Sequence, residues 1–210
     1  MKTIEFVGVP GVGKTTSLKS ILKLEREDLV SLKYLKHGPI DFRKPKADEL
    51  LNWKHFNAVV NNAFRCATSP DTKTYKRHMH RAVKRVSRAR LAAGDKVFLM
   101  DGGLGQRGLT LALAYPKNSN LIDDYFHLMP KPNGAIFFVA NINTLKNRNR
   151  ERFEKGCRWN FDWCVEYLTA ITKKGNIILK TRNVPVLEVC TENDLEYNQE
   201  LILDFIKRVK

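Results

Sequence analysis

A glycine-rich stretch near the start of the chain, Gly8-Val-Pro-Gly-Val-Gly-Lys-Thr-Thr16, constrains its fold more than any other feature. It follows an apolar run at 4–7 and leads into a helix-like segment at 14–24. Gly8, Gly13, Lys14 and Thr15 occupy the fixed positions of Gly-x-x-x-x-Gly-Lys-Thr, the P-loop pattern. The residue types explain the chemistry. Gly8, Gly11 and Gly13 let backbone N–H groups wrap an oxyanion, and the helix that begins at Lys14, Thr15 and Thr16 adds the partial positive charge of its N-terminus. Lys14 would reach the β- and γ-phosphates of ATP, and Thr15 would offer its hydroxyl to Mg²⁺. The strand before, the helix after and the place near the N-terminus all lower the odds of a chance match, and the competing reading is an ordinary Gly-rich βα turn.

At 210 residues and 43% hydrophobic, the chain suits one α/β domain with a sizeable core, spanning 1–210. Met1-Lys-Thr runs directly into the first strand with no secretory pattern, and no apolar run approaches bilayer length, so no membrane association is expected. Cys66, Cys157, Cys164 and Cys190 form no C-x-x-C pair and read as reduced core residues of a cytoplasmic protein, or of a host cytoplasm if the source is viral. Thirty-seven Lys and Arg against 22 Asp and Glu give a net charge of +15, more than a nucleotide pocket needs. The surplus points to a polyanionic partner, most simply nucleic acid, with a solvated basic surface as the bland alternative.

Strand-like runs at 29–35, 96–101, 135–140 and 184–190 alternate with helical segments, which predicts a parallel sheet with helices on both faces. Pro185 suits a strand start or an edge. Helices are expected at 161–172 and from the cap at Asn193 or Asp194 to about 209, and the residues after Asp101 read as a loop. Between strands two and three lies an acceptor-side helical region at about 41–93. In its second helix Met79, Ala82, Val86, Ala89 and Ala93 form an apolar stripe, with Arg77, Arg81, Lys84 and Arg88 opposite.

Asp101 ends an apolar strand and is expected beside the first strand, facing the Mg²⁺ held by Thr15. Gln106 and Arg107 fall just beyond the same sheet edge and are candidates for holding an acceptor. Phosphoryl transfer needs positioning and positive charge around the moving group. The polar stretch at about 145–159 suits a lid that closes over the phosphates, because Arg148 and Arg152 lie one helical turn apart.

With these residues in hand, the chain resembles the P-loop nucleotide-kinase group, thymidylate kinase and the deoxynucleoside kinases in particular. The likeness rests on the P-loop at 8–15, the helix–Gly–strand–Asp passage at 90–101, Leu145-x-x-Arg148-x-x-x-Arg152, and the late strand and terminal helix. It implies a three-layer α/β fold with five parallel strands in the order 2-3-1-4-5. It also implies ATP and Mg²⁺ as cofactors, and Asn193, in the loop at 191–193, near the adenine. Thymidylate kinases carry an Arg and an aromatic directly after the strand-3 Asp, whereas this chain has Gly102 and Gly103. That departure counts against a nucleoside monophosphate acceptor, and Arg107 could substitute only by folding back. Deoxynucleoside and polynucleotide kinases place a carboxylate after strand 2 to take the proton of a hydroxyl. Asp41 stands in that region with Arg43 two residues on, a turn residue being the alternative.

Eight Lys or Arg residues lie between Lys73 and Arg90, a row of cations able to track a phosphate backbone, with Arg77 and Arg81 on its ridge. Trp53, His55 and Phe56 in the preceding helix are candidates for base stacking, although aromatics at helical spacing are more often core. The leading expectation is a kinase acting on a hydroxyl carried by nucleic acid, either a modified base such as a hydroxymethyl-pyrimidine or a polynucleotide end. A small-molecule nucleoside or nucleotide kinase and a nucleic-acid-stimulated NTPase are the alternatives. If Asp41 is the general base, Asp41→Asn should lower phosphoryl transfer by about two orders of magnitude while leaving ATP affinity intact. A steady-state assay showing unchanged turnover would remove Asp41 from the mechanism.

Overall fold

Residues 3–7 are buried without interruption, which in an α/β chain marks a strand covered on both faces. In the structure, a computed structural model, this strand is the centre of the sheet. The structure describes residues 2–24, 28–31, 86, 96–116, 119–154 and 162–209. The described elements run β1 (Lys2–Val7), α1 (Lys14–Leu22), β2 (Leu29–Ser31), β3 (Val97–Asp101), α2 (Leu104–Ala114), α3 (Ser119–Leu128), β4 (Gly134–Val139), α4 (Ile142–Glu154), α5 (Asp162–Thr181), β5 (Val186–Cys190) and α6 (Leu195–Val209). The five strands form one sheet in the order β2-β3-β1-β4-β5, with every pair parallel, as the family resemblance implied.

The sheet positions the site through its register. β1 pairs with β3 so that Phe6 lies opposite Asp101, and with β4 so that Val7 lies opposite Phe137. Both neighbours therefore end level with the loop that leaves β1. The continuous apolar sequence of β4, Gly-Ala-Ile-Phe-Phe-Val, fits its place between β1 and β5, with residues 134–138 all buried. α1 and α6 pack together over one face of the sheet, while α2, α3 and α5 pack on one another over the other.

Two expectations need correction. The residues after Asp101 are not a loop. They open helix α2, and a second helix, α3, follows where the sequence pattern predicts no element. α5 runs on to Thr181, nine residues beyond the expected end at 172. One buried ring explains both. A Cβ on Gly108 of α2 or on Gly175 of α5 would fall 2.7 Å from Cζ of Phe126. Glycine disfavours an isolated helix, but here it lets α2 and α5 close on the same aromatic side chain. The strands, by contrast, lie within one or two residues of their expected places, and Pro185 stands directly before β5. The expected strand beyond Ser31 and nearly all of the helical region at 41–93 lie outside the described residues.

The far ends of the helices on this face are tied together by Arg182. Its guanidinium donates to the carbonyls of Phe126 (2.6 Å) and Met129 (2.7 Å), closing the C-terminal end of α3 with a cation. Gly175→Ala should force the Phe126 ring aside and destabilise the protein by about 1–3 kcal/mol, measured by denaturant unfolding. In the Phe126→Leu background the same substitution should cost much less, because the obstructing ring is gone.

Candidate active site

The loop between β1 and α1 has the tight, glycine-dependent turn that the spacing predicts. Gly11 and Gly13 have φ of 87° and 108°, values that a side chain would strain, and Gly13 serves as the N-cap of α1. The turn is closed by the Val12 N–H donating to the Val9 carbonyl at 3.2 Å. The Lys14 amine lies across the loop and donates to the carbonyls of Gly8 (2.7 Å) and Val9 (3.1 Å). Thr15 Oγ1 donates to Asp101 Oδ2 at 2.7 Å, so the hydroxyl and carboxylate expected to share a cation already face each other. Both are hard oxygen donors, the kind Mg²⁺ prefers, and Mg²⁺ usually takes only one or two protein ligands beside water and phosphate. Among the described residues no group of three or more His, Cys, Asp or Glu could hold a metal on its own.

Beyond the cradle opens a cavity of about 450 Å³, bordered by Gly11, Gly13, Thr16, Arg148, Thr191 and Asn193. It brings together the expected nucleotide-side residues from three parts of the chain. Arg148 Nη1 donates to Thr191 Oγ1 at 3.3 Å, so the first expected lid arginine lies against the loop after β5. The expected lid at 145–159 begins as part of α4, and its portion beyond Glu154 lies outside the described residues. Arg152 lies on α4 one turn after Arg148, and its side chain is outside the described part. Gln106, expected to hold an acceptor, instead accepts the Gly8 N–H at 3.1 Å and joins α2 to the cradle. The Arg107 guanidinium reaches back to Gly102, with Nη2 3.2 Å from the place a Cβ there would occupy. Asp41, Arg43, Arg77 and Arg81, with Trp53, His55 and Phe56, lie outside the described residues.

Three contributors were not legible in the sequence. Asn149 is buried between two arginines of α4, and its Nδ2 donates to the carbonyls of Pro10 and Leu145, both at 2.8 Å. It seats α4 directly on the phosphate loop. Glu192 accepts the Asn141 N–H (2.9 Å) and the Thr144 hydroxyl (2.6 Å), which fastens the loop after β5 to the start of α4. The Thr144 hydrogen bond, then the Asn141 N–H and more weakly the charge of Arg148, hold the Glu192 carboxyl below its ordinary range. Glu5, read only as part of an apolar run, is buried and reaches the start of α2. Only Glu5 leaves a signal in the sequence, a charged residue inside an apolar run; Asn149 lies in a polar stretch and Glu192 in a polar loop, where nothing sets them apart.

No family model matches the chain, and no curated protein matches it in sequence. Solved structures do match in shape along the whole chain. A deoxyadenosine kinase from M. mycoides with dCMP and a flexible dCDP bound superposes with a TM-score of 0.60 at 14% identity, covering 98% of this chain and 99% of that one. The same kinase with dATP gives 0.58 and with dCTP 0.55, each at 15% identity and the same coverage. The fold is that of a P-loop kinase. The strand order expected for that fold is present, and the chain spans the neighbours' length. Among the described residues no helix is long and apolar enough to cross a membrane.

A carboxyl whose folded pKa is lowered stabilises the fold above its unfolded pKa, and the gain is lost as pH falls through the folded value. Wild type should therefore melt above Glu192→Gln at neutral pH, with the gap closing as the solution is acidified below the ordinary glutamate range. A gap that is constant with pH would show that the carboxylate charge does not fasten the loop.

Proposed function

We propose that the protein is an ATP-dependent kinase of the cytoplasm that phosphorylates the hydroxyl of a free deoxynucleoside. The observation that carries this reading is the Thr15–Asp101 pair at the mouth of the phosphate loop, in a fold that spans the full length of deoxyadenosine kinase structures. Those neighbours hold deoxynucleotides, which favours a free deoxynucleoside over the nucleic-acid acceptor suggested by charge alone.

In this mechanism the loop N–H groups and Lys14 bind the β- and γ-phosphates, the amine exchanging its two loop carbonyls for phosphate oxygens. Thr15 and Asp101 would hold Mg²⁺, which supplies charge neutralisation of the triphosphate. Arg148, with Arg152 one turn on, balances the charge that spreads over the transferred group. Asn193 and Thr191 border the space for the base of ATP. The acceptor oxygen forms a bond to the γ-phosphorus as the bridging P–O bond to the β-phosphate breaks, and ADP leaves. The hydroxyl proton passes to a carboxylate, for which Asp41 is the candidate, with Arg43 and Arg107 on the acceptor side.

A hydroxyl carried on nucleic acid is the second reading, favoured by the net charge of +15 and the cations between Lys73 and Arg90, Arg77 and Arg81 among them. One assay separates the readings: γ-labelled ATP with the common deoxynucleosides, their monophosphates, 5′-hydroxyl oligonucleotides and hydroxymethyl-pyrimidine DNA. Label should appear on a free deoxynucleoside with little dependence on salt, and Lys14→Ala should lower transfer by about two to three orders of magnitude. Label found only on oligonucleotide or modified DNA, and lost as salt rises, would replace the first reading with the second. Release of phosphate to water with no labelled acceptor would sink both.

A further inference from the structure

Helix α2 starts without a side-chain cap of its own, since its N-cap is Gly103. Its first N–H groups are met from the interior of the sheet. Glu5, midway along β1 and only 2% exposed, accepts the Leu104 N–H at 3.0 Å through Oε1 and the Gly105 N–H at 2.6 Å through Oε2. An ionised carboxylate is costly to bury unless it is well hydrogen-bonded, and a helix N-terminus offers both donors and a favourable dipole. The neighbouring glycines make room for it. A Cβ on Gly103 would fall 2.6 Å from Glu5 Cδ, and one on Gly105 would fall 2.8 Å from Val7 Cγ2 and 3.0 Å from Glu5 Oε2. Position 103 is thus closed to any side chain while Glu5 lies beneath it.

Gly102 has a φ of 88° and no side chain, and the guanidinium of Arg107 lies against it, next to Asp101 in sequence. Tyr125, fully buried, donates its hydroxyl to the Leu104 carbonyl at 2.7 Å and braces the same turn. Burial first, then the negative charge of Glu5, push the Tyr125 hydroxyl well above its ordinary pKa, while Arg107 pulls it back. Both charges therefore act on one small volume beneath the start of α2.

We propose that Glu5 is a positioning residue that clamps the first turn of α2 so that Arg107 stands beside Gly102 and serves as the acceptor-side cation. The clamp works through two backbone hydrogen bonds, and the arginine is delivered one turn further along the helix. Gln106, between them, accepts the Gly8 N–H and so registers the same turn against the phosphate loop. The assignment of Arg107 to an acceptor rests on the kinase reading above; the clamp itself does not.

The test uses the full chain with Glu5→Gln, Gly103→Ala, Arg107→Ala and the Glu5→Gln/Arg107→Ala double variant. Glu5→Gln keeps the shape and one acceptor oxygen. Gly103→Ala attacks the clamp from the other side, should the glutamine variant fail to fold. ADP affinity by calorimetry should be unchanged in all of them. With the best deoxynucleoside of the transfer panel as probe, kcat/KM should fall about 100-fold in either single variant of the clamp, the cost of misplacing a group by ~1 Å. The double variant should be no worse than Arg107→Ala alone, because Glu5 acts through Arg107. Losses that multiply in the double variant, or an unchanged kcat/KM in Glu5→Gln, would overturn the proposal. Hydrogen exchange supplies a readout without turnover. Amides at 104 and 105 should exchange faster in Glu5→Gln while those of the phosphate loop keep their protection. If wild type phosphorylates nothing, the kinase reading and Arg107's acceptor role fail with it, and unchanged exchange at 104 and 105 would remove the clamp as well.

Discussion

The parallel pairing of β1 with β3 is the constraint on which the site depends. It sets Phe6 opposite Asp101, so the acid at the end of one strand arrives beside the first turn of the helix that follows the other. The Thr15–Asp101 hydrogen bond is a consequence of that register. A slip of one residue would turn the Asp101 side chain to the opposite face of the sheet. Residues 3–7 and 97–100 are buried without interruption, as suits two adjacent strands covered on both faces.

Around this pairing the protein places buried polar side chains where elements meet. Glu5 joins β1 to α2, and Asn149 joins α4 to the phosphate loop. Each such hydrogen bond contributes little net stability, roughly 0.5–3 kcal/mol, but leaving its buried partner unmet costs about as much again. Their effect is orientation. Apolar packing of α2 and α5 around Phe126 would tolerate some sliding, whereas two amides on one carboxylate would not. Glu192 does the same in the open, fixing the loop after β5 to the start of α4 beside Arg148.

The strands and the phosphate loop were legible because their signals are local: a run of apolar residues, a fixed glycine spacing, an acid at a strand end. Helices α2 and α3 were not. Gly105 and Gly108 lower helix propensity, and the reason they are present, a carboxylate and a ring pressed against them, belongs to residues far away in the chain. The extent of α5 was hidden in the same way by Gly175. Gln106 and Arg107 stand out by their place after Asp101, but their directions depend on the helix that carries them.

The sequence alone shows that this chain makes a parallel α/β sheet with a glycine-rich P-loop turn after its first strand, because period, apolar runs and turn chemistry are written in neighbouring residues. Which side chains meet at that cradle was decided only in three dimensions. Asn149 on Pro10, Glu5 on Leu104 and Gly105, and Arg107 against Gly102 are contacts between elements or across turns. No propensity or spacing encodes them, since each exists only once burial has fixed how the helices lie on the sheet.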